Sequence, residues 1–481
     1  MQLVGSGRAR LGLLFLLAVG GPWQGLSGED VKPPRVGDFK DDFKDPKTGT
    51  AVLHYRMRVP EKLPSRRTLG LIVAFHGLHS NEDGLTGFAI DAAKRIQIVD
   101  EYVIMGGKSK GEGWEPTDDK VVIAWITWVK ETYPIDPRRV HIVGMSNGGG
   151  MVKRLGWANQ DLFASVSSYC GVTAEFSGAI KGPRAPPARG PMSPAETKTE
   201  WYLVHGDADK TVPVDVSRLA VKQLTVKGYR CIYREIDGAD HVGVLGYSDV
   251  VDDNFRFLHA LRHKETPVTK DERAALTSMA SKLKSEKAES ALPLIAEAAR
   301  IGGAPAAGAI KSALGNADVA VKKAAMQAAG NVILGREIAL ELVKLTKDKS
   351  SEVRAAAFQS LGTLANWRYP EAQEYLVQTA RKSSLAVDDR VSAIQGLGQA
   401  IKVMFFGWYE DKDVPWCLVL LLEDKEAKVR EAAFAALKTG MKDTFGYAPD
   451  LAVAERKVSA AKFRSWCEKV AGPLKAPGAK P

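Results

Sequence analysis

The chain changes its texture once, near Thr266, and that change constrains its fold more than any other feature. Before it, short apolar runs alternate with stretches of helical periodicity. After it, strand signals stop and alanine-rich helices recur. Two cores are expected, which suits 481 residues, too many for one ordinary domain.

In the first half the runs Leu71 to His76, Glu101 to Met105, Arg139 to Met145, Phe163 to Cys170, Trp201 to His205 and Tyr229 to Ile236 read as strands. Each is short and rich in β-branched or aromatic residues. Asp119 to Tyr133 has helical spacing, with Val122, Trp125, Ile126 and Val129 on one face. Val214 to Gly228 is a second helix and ends on a stop glycine. Strands alternating with helices imply a mainly parallel sheet covered on both faces, with its chemistry at the carboxyl ends of the strands.

One strand end carries a motif. Gly144-Met145-Ser146-Asn147-Gly148 is G-x-S-x-G between a strand and a helix. A serine on so tight a turn is held exposed above a helix N-terminus, and flanking glycines avoid side-chain clashes. The helix end offers free amides to a developing anion. A hydroxyl is a poor nucleophile without a base, and the base needs an acid to orient it. Both are expected later in the chain, acid before histidine, on loops after strands. The stretch 205–213, HGDADKTVP, offers Asp207 and Asp209. The stretch 238–243, GADHVG, offers His241, with Asp237 and Asp240 beside it. Two backbone amides complete the set. One is expected from Asn147, after the serine, and one from Leu78, after the His76-Gly77 pair.

The segments FHGLHSNED (75–83), DPRRVHIVGMSNGGGM (136–151), HGDADKTVP and GADH resemble the α/β-hydrolase esterases grouped with polyhydroxybutyrate depolymerases and feruloyl and acetylxylan esterases. The resemblance runs from about Val52 to His263. It implies that Ser146 is the nucleophile, Asp209 the acid and His241 the base, with Asp207 as the alternative acid and with no metal or cofactor. GADH departs from the commoner G-x-G-H, and Asp240 is either a surface residue or a modifier of the base.

The second half contains a repeat. Val321 to Gly330, Val353 to Gly362, Asp389 to Gly398 and Val429 to Lys438 align, with Met326, Phe358, Ile394 and Phe434 in register. Small residues let neighbouring helices pack closely, and a stack buries what one helix pair cannot. The pattern resembles HEAT repeats, which implies a docking surface for a protein or polymer partner, or a spacer. Phe405, Phe406, Trp408, Tyr409 and Trp416 lengthen one repeat as core filling or as a ligand patch. Ser177 to Lys198, rich in Pro and Gly, reads as a solvated insertion or a flap over the site.

Arg8 and Arg10 precede a short apolar run, Leu11 to Gly21, and small residues follow. That is the form of a secretory signal peptide, and the run is roughly half the length a spanning helix needs. The expected division is a signal peptide at 1–27, a hydrolase-like domain at 28–265, helical repeats at 266–472 and a tail at 473–481. The mature protein is expected to be secreted, periplasmic or at the cell surface, with no membrane span. The net charge is +10, and 32 Lys/Arg against 25 Asp/Glu from Val268 onward place +7 of it in the second half. No basic stripe accompanies it, which excludes a nucleic-acid footprint. The four cysteines form no metal-finger or C-x-x-C spacing, and buried free thiols are expected, with disulfides as the alternative. The functional expectation is an exported serine esterase acting on a small or polymeric ester. The alternatives are a serine peptidase on the same fold and a scaffold whose helical repeats bind partners. A cut near Thr266 is expected to leave a folded hydrolase domain with its own core.

Overall fold

The computed structural model describes residues 34–173, 199–264, 266–332, 336–401, 413–441 and 443–474. The signal segment 1–27, the insertion Ser177 to Lys198, the aromatics Phe405, Phe406, Trp408 and Tyr409, and tail residues 475–481 lie outside the described residues.

An eight-stranded sheet organises the first half: β1 (Gly37–Lys44), β2 (Ala51–Val59), β3 (Leu69–Phe75), β4 (Tyr102–Gly107), β5 (Ile135–Met145), β6 (Ser165–Tyr169), β7 (Glu200–Gly206) and β8 (Cys231–Ile236). Their order is β1-β2-β4-β3-β5-β6-β7-β8. β1 and β2 are antiparallel additions at one edge, and all pairs from β4 to β8 are parallel. The direction of winding reverses between β3 and β5, so a crevice opens at their carboxyl ends. The central strands are buried along their whole length, which is why they read as apolar runs.

Helices α1 (Gly84–Arg95), α2 (Asp119–Thr132), α3 (Asn147–Ala158), α4 (Asp215–Val226) and α5 (Ser248–Ala260) cover the sheet. The buried residues of α2, α3 and α4 join one apolar cluster, and those of α1 and α5 join another. Val122, Trp125, Ile126 and Val129 form the stripe of α2, as their spacing requires. This is the α/β-hydrolase fold.

The second half is helical: α6 (Lys270–Lys282), α7 (Ala288–Ile301), α8 (Gly303–Leu314), α9 (Val319–Asn331), α10 (Arg336–Leu345), α11 (Ser351–Asn366), α12 (Pro370–Arg381), α13 (Val387–Ile401), α14 (Asp413–Leu421), α15 (Ala427–Gly440) and α16 (Val453–Ala471). The aligned segments are α9, α11, α13 and α15, and each packs on the next to form one layer. Met326, Phe358, Ile394 and Phe434 are buried in register between layers. A Cβ on Gly362 would fall 2.7 Å from the Gly396 carbonyl oxygen, so α11 and α13 meet backbone to backbone. Side-chain pairs step along the stack, among them Lys322–Asp348 at 2.7 Å and Arg354–Asp389 at 3.0 Å. Trp416 is buried and its Nε1 donates to the Gly472 carbonyl, a packing role.

The two halves share a core. The cluster that holds α1 and α5 continues without a break through the repeats. The turn between α11 and α12 sits against edge strand β8 and α5. Arg234 of β8 donates to the Asn366 side chain at 2.7 Å, and Asn366 donates to Asp253 of α5 at 2.6 Å. The Phe257 and Trp367 rings pack edge to face. Arg262 donates to the carbonyls of Arg300 and Ile301 and so caps the C-terminus of α7. The expectation of a self-sufficient hydrolase core is revised accordingly, because these side chains are covered by the repeats.

All four cysteines are free and buried. Among the described residues no helix is long and apolar enough to cross a membrane.

Candidate active site

The crevice is built around Ser146, which joins β5 to α3 with φ +55° and ψ −115°. A residue with a Cβ avoids such angles unless its surroundings impose them. Here they do. A Cβ on Gly144 would fall 2.2 Å from the Gly148 carbonyl oxygen, and one on Gly148 would fall 2.0 Å from that of Phe75. Both neighbours must be glycine for the bend to close, and the bend lifts the hydroxyl above the helix end.

His241 follows β8 and reaches back to the serine. Its Nε2 is 2.9 Å from Ser146 Oγ, and its Nδ1 is 2.7 Å from Asp209 Oδ2. The carboxylate can only accept, so Nδ1 carries the proton and Nε2 is free to accept from the hydroxyl. Asp209 follows β7, and its side chain is fully covered. Its Oδ1 takes the amides of Thr211 and Val212, at 2.8 and 2.9 Å. Burial pushes this carboxyl up, but the Val212 amide, the His241 ring and the Thr211 amide outweigh it, and its pKa lies below the ordinary value. Asp207 is exposed, and its carboxylate accepts the Gly238 amide at 2.7 Å; it makes no bond to His241 among the described residues. Asp240 is exposed and accepts the Gly243 amide.

The loop after β3 lies against the serine, with the ideal Cβ position of Gly77 3.3 Å from Ser146 Cβ. His76 fixes that loop. Its Nδ1–H donates to the Gly77 carbonyl at 2.7 Å, and its Nε2 accepts the Ser109 amide at 3.2 Å. Burial pushes the His76 ring below the ordinary histidine pKa, consistent with the neutral form those partners require. The Trp114 amide donates to Asn147 Oδ1 at 2.6 Å, tying the loop after β4 to the start of α3. The backbone amides of Leu78 and Asn147 make no hydrogen bond among the described residues. Leu78 and Val242 stand exposed beside Gly77 and His241, and Val172 is exposed on the loop after β6.

Sequence reasoning missed a buried layer below this surface. Lys153 of α3 is covered and donates to the carbonyls of Gly171 and Thr173, and burial brings its pKa down to about 7. Cys170, His205 and Asp209 lie close enough together to ligate one ion. The donor set does not suit a cation, because His205 Nε2 points its proton at the Val212 carbonyl and Cys170 stays a thiol, its pKa raised by burial. His205 opens the same stretch that supplied Asp209, but nothing in that stretch marked the ring as part of the site. A cleft of about 1890 Å³ lies at the junction with the repeats, lined by Arg138, Glu200, Arg230 and Glu374 among others. It sits at the amino ends of β7 and β8, away from Ser146.

A family model for HEAT repeats matches residues 306–398. No curated protein matches the chain. Similar solved structures include a thermostable esterase, 22% identical with a TM-score of 0.37, over 47% of this chain and 63% of that one, less than two thirds of its length. A ferulic acid esterase is 14% identical with a TM-score of 0.37, over 46% of this chain and 97% of that one. Est1E from Butyrivibrio proteoclasticus is 16% identical with a TM-score of 0.34, over 46% of this chain and 98% of that one. The chemistry of this chain is read from its own residues.

Proposed function

We propose that the protein is a serine hydrolase that cleaves carboxylic esters through an acyl-enzyme. The observation that carries this reading is the unbroken line Ser146 Oγ–His241–Asp209 beside two amides that make no hydrogen bond among the described residues. Ser146 Oγ attacks the ester carbonyl while His241 Nε2 takes its proton. The oxyanion that forms is held by the amides of Leu78 and Asn147, which make no hydrogen bond among the described residues. The intermediate collapses, and His241 returns the proton to the departing alcohol. Water then repeats the sequence and frees the acid. Asp209, ionised and anchored, keeps the imidazole in the tautomer this requires.

Export through the first 27 residues is part of the same proposal, as is docking of a polymeric substrate or protein partner on the repeats. A panel of aryl esters, acetylated and feruloylated glycans, polyhydroxyalkanoates and peptide amides tests the ester reading. Turnover of esters at rates well above peptides is expected. Cleavage of peptides alone would replace the reading with a peptidase, and turnover of neither class would favour the scaffold.

A further inference from the structure

Behind the acid lies a second histidine that the proposed reaction does not use. His205 is the next-to-last residue of β7, and its side chain has no exposed surface. Its Nε2 is 2.9 Å from the Val212 carbonyl and 3.2 Å from Asp209 Oδ2. The carbonyl can only accept, so Nε2 carries the proton and donates it to Val212, with the Asp209 carboxylate oxygen beside it. Nδ1 must then accept, and Ser217 Oγ of α4 donates to it at 2.6 Å. The neighbours thus fix the tautomer of this ring. Burial, with Lys153 acting in the same direction, keeps the ring neutral.

Asp209 Oδ2 therefore lies between two imidazoles. His241 donates to it from the side of the crevice, and the His205 ring stands 3.2 Å away on the core side with its proton on the Val212 carbonyl. The loop that carries Asp209 has no regular structure between β7 and α4. His205 grips it at the Val212 carbonyl, and the Val212 amide donates to Asp209 Oδ1, while Ser217 ties the ring to α4.

We propose that His205, oriented by Ser217, is a positioning residue for the acid of the triad: it holds the Val212 carbonyl, and the Val212 amide in turn holds Asp209 Oδ1. This rests on the esterase reading of the same site. The ring touches no substrate, so its loss is felt in turnover and not in binding. Partners of this outer kind change activity about 10- to 100-fold when removed from metal-bound histidines, and an effect of that scale is expected here. It should stay below the roughly ten-thousandfold loss that follows when the acid itself is disabled.

The test uses the full-length protein, with kcat and KM for p-nitrophenyl acetate normalised to sites titrated by a fluorophosphonate probe. His205→Phe keeps the ring volume and removes the donor, and kcat should fall about 10- to 100-fold with KM nearly unchanged. His205→Gln places an amide N–H where Nε2 stood and should recover most of that loss. Ser217→Ala frees the tautomer and should lower kcat less than His205→Phe does. Unchanged kcat per titrated site in His205→Phe, or in Ser217→Ala where the Phe variant does not fold, would overturn the positioning role. Failure of Gln to do better than Phe would overturn it too, since packing alone would then explain the loss. A wild type that neither labels nor turns over the ester would instead overturn the esterase reading, and this inference with it.

Discussion

At the scale of single residues the site depends on two aspartates two positions apart, of which geometry selects one. Asp209 is buried and bonded to His241, whereas Asp207 is exposed and serves the turn at Gly238. Asp209→Asn keeps the shape but offers an amide where the imidazole needs an acceptor, and kcat should fall by up to about ten-thousandfold. Asp207→Asn should change kcat only a few-fold. Steady-state rates of the two variants on one aryl ester decide the matter, and the reverse ranking would move the acid to Asp207. Ser146, Asp209 and His241 were legible because the signals are local: a glycine-framed serine after a strand, then two polar loops in order. Sequence left Asp207 open because spacing within a loop does not say which carboxylate turns inward. His205 and Lys153 were not legible as parts of the site, since burial of a polar side chain has no period to read.

Among the elements, α3 does more than present the serine. Its Lys153 is buried without a carboxylate partner among the described residues and holds the chain after β6 by two carbonyls. Its pKa is brought from 10.5 down to about 7 by burial. Between those values the unfolded chain holds a proton that the folded chain does not. Stability attributable to this residue therefore rises with pH from about 7 upward, by at most about 1.4 kcal/mol per pH unit, and the burial penalty is greatest below pH 7. Lys153→Met removes the titration. Relative to wild type, the variant should be most stable near pH 6 and lose that advantage by pH 9. Urea midpoints at the two pH values measure this, and a constant difference would refute it. The parallel strands were legible as apolar runs. β1 and β2 were not, because an edge strand with one wet face, as in GDFKDDFK, reads as a polar linker. The aligned repeat helices were legible because close packing demands small residues at fixed intervals.

For the whole molecule, the change of texture near Thr266 marks a change of architecture but not a separation of cores. Contact between the halves was not legible, since it is made by strand-edge arginines and one helical turn, with no sequence pattern of its own. Removing the repeats uncovers the face of Phe257 that packs on Trp367, a part of the roughly 1.5–3 kcal/mol its full burial is worth, and strips Arg234 and Asp253 of Asn366. A protein ending at residue 265 should therefore melt well below the full-length chain or aggregate. Any folded fraction should turn over a small aryl ester at close to the full rate per titrated site, because the crevice lies at the far ends of the strands. Calorimetry and activity on both lengths test this. Equal melting temperatures would show that the hydrolase core stands alone.

The central claim is that Ser146 is a nucleophile activated by His241 and Asp209, and intact-mass spectrometry after a fluorophosphonate probe tests it most directly. One adduct per chain is expected, on the peptide that contains Ser146. Ser146→Ala should take up none, should melt like the wild type, and should keep no more than about a thousandth of its ester turnover. An adduct on another residue, or a Ser146→Ala variant that still labels and turns over, would contradict the account.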